Sequence, residues 1–119
     1  MRIYVAGPYS AGDPTLNTRE AIKVADQLAA AGGFPFVPHL SHLWHLVSPH
    51  DYEFWIAQDM EWLEACDAVY RIPGASRGAD KEVARAEELG MSVYYNLPLL
   101  LARLGSAATE AQSLPSRLQ

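Results

Sequence analysis

Glu82 occupies a position where a carboxylate is not expected, on the apolar face of a predicted helix. The segment 76–90 predicts a loop followed by a helix, whose small apolar residues recur at helical spacing: Ala79, Val83, Ala86 and Leu89. Glu82 shares this inward face, whereas Lys81, Arg85 and Glu88 form the opposite, polar face. Because a carboxylate that faces a packed interior is costly unless it is paired or hydrogen-bonded, Glu82 is a candidate functional residue.

Asp59 repeats this pattern in the preceding helix, which is predicted at 51–65. The apolar stripe of that helix contains Tyr52, Trp55, Ile56, Trp62 and Leu63, and Asp59 falls in the middle of it. Two inward acids on neighbouring helices could converge on one pocket, and paired carboxylates are the groups that cleave glycosidic bonds. The alternative is that each acid caps a loop or pairs with an arginine.

The composition predicts one globular domain. The chain has 119 residues, half of them hydrophobic, which is enough to bury a core. No apolar run approaches the roughly 20 residues of a membrane span, and the N-terminus has no signal-peptide pattern. The single cysteine, Cys66, fits a reducing compartment and is expected to be buried and unreactive. We therefore expect a cytoplasmic protein with no membrane partner.

The acidic charge limits the partners. A formal net charge of −5 argues against a nucleic-acid polymer, because binding a duplex requires a basic face. A small anionic ligand is compatible with this charge, since backbone N–H groups at a helix start bind phosphate whatever the global charge.

The elements that must position the two acids alternate between strand and helix. Strands are predicted at 2–6, 34–37, 67–72 and 91–95, and helices at 14–31, 51–65, within 76–90 and at 97–104. Short loops between such elements predict a parallel sheet with helices on both faces. Ligands bind such sheets at the carboxyl ends of the strands, where the loops 7–13 and 73–78 meet. Glu82 lies just after the second of these loops.

The sequence also predicts the start of the first helix, the segment 39–50 and the C-terminal tail. The first helix is expected to have Asp13 as its N-cap, Pro14 at its first position, and an inner face of Ile22, Ala25, Leu28 and Ala29. The segment 39–50 is predicted to be irregular. We expect one domain over residues 1–104 and a loose or partner-docked tail over residues 105–119, where Ser, Ala, Thr and Gln predominate.

Other motifs offer weaker alternatives. The loop 7–12 matches neither a dinucleotide-binding nor a P-loop pattern, although its amides and the Ser10 hydroxyl could bind a phosphate; a plain tight turn is the alternative. His39, His42 and His45 recur every third residue, which leaves a metal-dependent hydrolase as a minor alternative to surface or pocket-lining histidines. Trp44 lies in the irregular segment and could stack on a planar base.

Four motifs carry a resemblance to a known family. They are IYVAGPYS at 3–10, FVPH at 36–39, DMEWLEACDAVY at 59–70, and S-x-G-x-x-x-E-x-x-x-A from Ser76 to Ala86. In this order and spacing, residues 1–96 resemble the nucleoside 2-deoxyribosyltransferase superfamily. The chain looks most like the small branch of 2-deoxynucleoside 5-phosphate N-hydrolases and nucleotide N-glycosidases, together with its uncharacterised short relatives.

This resemblance implies a fold and a set of catalytic residues. The fold would be a flavodoxin-like or Rossmann-like three-layer α/β sandwich with a parallel sheet of four to five strands. The protein would be an enzyme without metal or cofactor, forming a homodimer or higher homo-oligomer with sites near the subunit contacts. By position, Glu82 matches the nucleophile, Asp59 the acid that assists departure of the base, and Tyr4 a tyrosine near the sugar and the nucleophile.

The resemblance also implies a substrate class. The expected substrate-binding residues are Gly7, Ser10, His39, Ser76, Arg77 and Gly78. Free-nucleoside transferases carry an acid where this chain has Ser76, whereas the nucleotide-cleaving branch carries a hydroxyl, so Ser76 followed by Arg77 favours a 5′-monophosphate. Base exchange by a transferase and a non-catalytic nucleotide sensor remain open, as do the base and the sugar.

Overall fold

The computed structural model describes residues 1–113, with side chains to Thr109. Within this range the elements are β1 (Arg2–Ala6), α1 (Pro14–Ala30), β2 (Phe34–Phe36), a 3-10 helix (Pro38–Ser41), α2 (His42–Val47), α3 (Tyr52–Glu64), β3 (Ala68–Arg71), α4 (Arg77–Glu88), β4 (Ser92–Tyr94) and α5 (Leu97–Ser113). None of the helices in these residues combines the length and the apolarity that a membrane crossing requires.

The four strands form one parallel sheet in the order β2-β1-β3-β4. Tyr4 in β1 is paired with Phe36 on one side and with Val69 on the other. The chain moves outward from β1 to β2 and then returns to the opposite side of β1 with β3. The strand order therefore reverses between β1 and β3, and their carboxyl ends open a crevice. The predicted flavodoxin-like α/β fold is confirmed, with four strands.

The alternation of side chains along β1 divides the core into two layers. Ile3 and Val5 pack in a cluster that also contains residues of α1 and α5: Ala21, Ala25, Leu28, Leu100 and Leu104. Tyr4 and Ala6 face the other side, where they pack with residues of α3 and α4: Leu63, Ala79 and Ala86. Tyr4 consequently lies under the two helices that carry the inward acids.

The first helix agrees with prediction at its start and differs along its inner face. Asp13 is its N-cap, accepting hydrogen bonds from the Thr15 and Leu16 N–H groups at 2.9 and 3.3 Å. The buried residues of α1 are Ala21, Ala25 and Leu28, whereas Ile22 and Ala29 are exposed. The prediction of Ile22 and Ala29 as inner residues was wrong because the stripe begins at Ala21, one position earlier.

Two other segments also depart from prediction. The segment 39–50, expected to be irregular, is largely helical, because Pro38 and Pro49 lie outside α2 and leave its backbone N–H groups intact. The last helix was predicted to end at Leu104 and continues to Ser113. A lone glycine at 105 costs about 1 kcal/mol but does not end a helix followed by Ala-rich sequence.

The predicted tail is thus partly helical. A Cβ atom added at Gly32, just after α1, would lie 3.7 Å from the Cβ of Ala108. This part of α5 therefore lies against the end of α1. Residues 114–119 lie outside the described residues, and docking of the tail on a partner stays a prediction. The other strand and helix ends lie within about one residue of their predicted positions, as expected for such assignments.

Candidate active site

A cavity of about 740 Å³ opens at the carboxyl edge of the sheet, between the loops that follow β1 and β3. Its wall contains eight of the nine predicted site residues: Gly7, Ser10, His39, Asp59, Ser76, Arg77, Gly78 and Glu82. The ninth, Tyr4, lies beneath the wall, and its hydroxyl group donates a hydrogen bond to Oε2 of Glu82. The structure therefore brings all nine residues together at one place.

Glu82 is held inward by its position on α4. Only 4% of the residue is exposed, and its neighbours on the inner face of the helix are the buried Ala79 and Ala86. Burial raises the pKa of Glu82 to about 8; the hydrogen bond from Tyr4 opposes this rise, the charge of Asp59 adds to it, and Arg71 opposes it. Glu82 is thus a carboxyl group that titrates near neutrality.

Asp59 reaches the same cavity from α3. It shares one helix face with Trp55 and Ile56, which lie four and three positions earlier and also line the cavity. Burial raises the pKa of Asp59 to about 7. Neither Asp59 nor Glu82 takes part in any ion pair among the described residues, so the alternative that each acid pairs with an arginine is not realised there.

Tyr4 is a buried phenol directed at the nucleophile candidate. It is fully buried in the sheet, and burial, followed by the charge of Glu82, raises its pKa well above the ordinary value of 10.0. Tyr4 therefore stays protonated at neutral pH and can only donate to a charged Glu82. Such a donor stabilises and orients a buried carboxylate.

The start of α4 has the features of an anion-binding site. Ser76 is the N-cap and accepts a hydrogen bond from the Ala79 N–H at 3.1 Å, while its own hydroxyl hydrogen has no acceptor among the described residues. The N–H groups of Arg77 and Gly78 belong to the first turn and have no partner within the helix. An added Cβ at Gly78 would lie 3.8 Å from Tyr52 Oη, so a larger side chain would enter the cavity.

Arg71 is a functional candidate that sequence reasoning missed. It ends β3, is 9% exposed, and its Nη2 donates to the Gly74 carbonyl at 2.9 Å and to Asp80 Oδ1 at 3.0 Å. These bonds hold the loop that leads into Ser76. A cation inside the otherwise largely apolar stretch AVYRI is the signal that would have indicated it.

The loop after β1 is fixed by a second missed residue, Asn17. Its side-chain amide donates to the carbonyls of Tyr9 and Ala11, both at 2.8 Å. An added Cβ at Gly7 would meet Ile72 at 2.8 Å, so the start of this loop requires glycine. The loop is therefore held by hydrogen bonds and close packing, and Gly7 and Ser10 in it line the cavity.

The three histidines predicted at regular spacing have separate partners. His42 Nδ1 bonds Tyr9 Oη at 2.7 Å, His45 Nδ1 accepts from Trp55 Nε1–H at 2.8 Å, and His39 Nε2 donates to the Pro8 carbonyl at 2.9 Å. Within the described part of the chain, no three His, Cys, Asp or Glu side chains are grouped as metal ligands. The geometry therefore gives the metal-dependent alternative no support.

His39 lines the cavity and, in the described part of the chain, has one ring nitrogen without a hydrogen-bond partner. It is 3% exposed, and burial lowers its pKa, against the carbonyls of Pro8 and Gly7, which raise it. With Nε2–H committed to Pro8, Nδ1 is left as an acceptor with no partner among the described residues. This enclosed nitrogen is the one buried side-chain nitrogen or oxygen without a partner among the described residues.

Aromatic side chains from α2, α3 and the turn between them form another part of the wall. They are His45, His50, Tyr52 and Trp55, together with the aliphatic Ile56. Trp44, considered for base stacking, does not line the cavity; it packs edge-on against Trp55 with ring centroids 5.0 Å apart. Trp55 and Tyr52 line the cavity instead.

Comparison with known proteins identifies a family and a fold. A family model described as "Domain of unknown function (DUF7768)" matches residues 1–96. No curated protein gives a significant match. A solved 2-deoxyribosyltransferase from the psychrotolerant bacterium Bacillus psychrosaccharolyticus is similar at 24% identity and a TM-score of 0.60, over 78% of this chain and 69% of that one. At this identity the likeness shows a shared fold.

Proposed function

Since this chain belongs to the DUF7768 family, whose description states no function, we propose from its cavity that it is an enzyme. It cleaves the N-glycosidic bond of a nucleoside or deoxynucleoside 5′-monophosphate through a covalent glycosyl-enzyme intermediate. The observation that supports this proposal is a pair of carboxyl groups, the buried Glu82 and the half-buried Asp59, that line one cavity at the sheet edge.

The first step is attack by Glu82 on C1′ of the sugar. A carboxylate oxygen forms the new bond to C1′ while the bond from C1′ to the base nitrogen breaks. Asp59 donates a proton to the departing base, which makes it a better leaving group. Tyr4 holds the attacking carboxylate in place through its hydrogen bond.

The second step returns the enzyme to its starting state. Water attacks C1′ of the glycosyl-enzyme, Asp59 takes one of its protons, and the bond between C1′ and Glu82 breaks. Asp59 therefore acts first as acid and then as base, whereas Glu82 is first the nucleophile and then the leaving group, and the pair starts and ends the cycle with one proton. Their raised pKa values, about 7 and about 8, are consistent with a pair that retains one proton near neutral pH.

The phosphate and sugar have matching contacts in the cavity. The first-turn amides of α4 and the hydroxyls of Ser76 and Ser10 are donors suited to a 5′-phosphate, with Arg77 at the rim supplying positive charge. Gly7 and Gly78 leave room for close approach. His39 lines the same cavity and contacts the sugar in this proposal.

We extend the proposal to assembly and location. Leu40, Leu43, Leu46 and Val47, in the 3-10 helix and α2, are 59–87% exposed, and His45 of the same helix lines the cavity. A second copy that covers this surface would give the homo-oligomer with sites near subunit contacts. The cytoplasmic location expected from the single cysteine belongs to the same proposal.

Base exchange is the second candidate function. The neighbour that shares the fold is itself a 2-deoxyribosyltransferase, and the same glycosyl-enzyme would serve exchange if a second base, rather than water, resolved it. The two activities differ in the acceptor alone.

A product assay with ribo- and deoxyribonucleoside monophosphates separates these functions. Free base without an added acceptor supports the hydrolase, base exchange only with a second base supports the transferase, and bound but intact nucleotide identifies a non-catalytic sensor. Glu82→Ala is expected to lower turnover at least about a thousandfold without unfolding the domain. Glu87→Ala, on the exposed side of the same helix, is the matched control and keeps full activity.

A further inference from the structure

His45 has its tautomer fixed by two neighbouring N–H groups. Trp55 Nε1–H donates to His45 Nδ1 at 2.8 Å, and the backbone N–H of His50 donates to the same atom at 3.3 Å. An indole N–H and a backbone N–H can only donate, so Nδ1 must be an unprotonated acceptor. The proton of the neutral ring is therefore on Nε2.

This Nε2–H group is available to a ligand. His45 lines the cavity, and its Nε2 has no hydrogen-bond partner among the described residues. The atom is not enclosed by protein either, because within those residues His39 Nδ1 is the one buried side-chain nitrogen or oxygen that has no partner. On the α2 side, the cavity thus offers one N–H donor, His45 Nε2–H, whose protonation is set by the tautomer.

The position of this donor relative to Asp59 indicates what it contacts. Trp55 and Asp59 are one helical turn apart on the same face of α3, a rise of about 6 Å, and both line the cavity. His45 is hydrogen-bonded to Trp55, at one end of this face. A base whose sugar-linked side faces Asp59 would lie along this helix face, and its opposite edge, the remote edge, would point towards His45.

We propose that His45 Nε2–H reads the remote edge of the base and selects a carbonyl oxygen there. The preferred substrates are then nucleotides of oxo bases, such as uracil and hypoxanthine, over the matching amino bases, cytosine and adenine. Trp55 makes the shorter of the two hydrogen bonds to Nδ1, 2.8 Å against 3.3 Å, and is therefore the main positioning residue for this tautomer. This inference rests on the proposed function of the cavity and adds the substrate class to it.

The selectivity follows from hydrogen-bond pairing. An oxo group accepts from Nε2–H, whereas an exocyclic amino group meets it with a second N–H and leaves both donors unpaired in a partly buried site. A site built to hydrogen-bond one group rejects the analogue that lacks it far more strongly than an apolar pocket does. We expect each oxo nucleotide to bind at least about tenfold more tightly than its amino counterpart.

Calorimetric titration of the Glu82→Gln protein tests this without cleavage of the ligand. The probes are the 5′-monophosphates of uridine and cytidine and of inosine and adenosine, in ribose and deoxyribose forms. Adding Trp55→Phe, which keeps an aromatic ring but removes the N–H, is expected to reduce the oxo-to-amino affinity ratio to within about threefold. Trp44→Phe, which removes an indole N–H from the same aromatic cluster, keeps the ratio.

The outcomes separate this inference from the proposed function. Equal binding of oxo and amino partners, or a ratio that Trp55→Phe leaves unchanged, overturns the reading by His45 even if the wild-type protein releases base. Failure of every nucleotide to bind overturns both proposals. A ratio that collapses in Trp55→Phe and persists in Trp44→Phe supports the inference.

Discussion

At the scale of single residues, the site depends on two carboxyl groups whose pKa values burial raises to near neutral pH. Helical periodicity alone identified Glu82 and Asp59, because an acid inside an apolar stripe is visible in the sequence. Periodicity could not find Arg71 or Asn17, whose roles come from bonds to loop carbonyls. Tyr4 was predicted through the resemblance, since its partner is 78 positions away.

The pH dependence of kcat/KM is expected to be bell-shaped. The active form of the pair holds one proton, so the rate falls below about pH 7 as the pair takes a second proton and above about pH 8 as it loses the last. In Asp59→Asn the alkaline limb is expected to disappear from the residual rate, because the general acid whose deprotonation causes it is gone. A rate independent of pH between about 5 and 9 would argue against the pair.

Glu82 is also expected to destabilise the folded protein at alkaline pH. Its pKa is about 8 in the folded protein and 4.5 ordinarily, so the folded state binds more protons; the stability from this group is full below about pH 4.5 and is lost as pH rises through 8. Glu82→Gln should therefore raise the free energy of unfolding by about 2–4 kcal/mol near pH 8.5.

Urea unfolding of both proteins across the pH range measures this difference. The gain should shrink towards zero near about pH 4.5, where the carboxyl group is protonated in both states. A glutamine variant that is less stable than the wild type at pH 8.5 would show that Glu82 contributes to folding rather than opposing it.

At the scale of elements, two helices place the acids and a glycine keeps the space between them open. α3 and α4 are joined on their outer side by Arg85, whose Nη2 lies 2.7 Å from Glu64 Oε1; such an exposed pair contributes little to stability. The close approach of α4 to the sheet depends on Ala79 and Ala86. These features follow from the sequence pattern, which is why α3 was predicted to within one residue at each end and α4 was predicted inside the segment 76–90.

The irregular prediction for 39–50 failed for the opposite reason. α2 is six residues long and has no side-chain N-cap hydrogen bond, and none of its residues is buried, so no apolar periodicity marks it. Its contribution to the cavity comes through His45, and the contact between His45 and Trp55 joins two helices. No spacing rule within one helix indicates such a contact.

Gly78 provides a test at this scale. Gly78→Ala should fold and bind normally, because its Cβ would lie at ordinary contact distances, 3.8 Å from Tyr52 and 3.9 Å from Ile56. Gly78→Leu extends beyond those atoms into the cavity and is expected to raise KM at least about tenfold with little loss of stability. Steady-state kinetics and thermal unfolding of both variants measure this, and an unchanged KM in the leucine variant would place the substrate elsewhere.

At the scale of the whole molecule, topology decides where chemistry is possible. The strand order reverses between β1 and β3, and the cavity lies at their carboxyl ends. That location was predictable from strand and helix alternation alone. The shape of the cavity end lined by His45 and Trp55 was not, because it depends on how α2 and α3 pack around the turn between them.

The central claim is a covalent bond between Glu82 and C1′ of the sugar. Rapid acid quenching of the wild-type protein during turnover of a nucleoside 5′-monophosphate, followed by mass spectrometry of its peptides, tests that claim most directly. We predict that the peptide containing Glu82 gains the mass of the sugar 5′-phosphate and that Glu82→Ala gains nothing. Base release with that peptide unmodified, or with the adduct on another residue, would contradict the account.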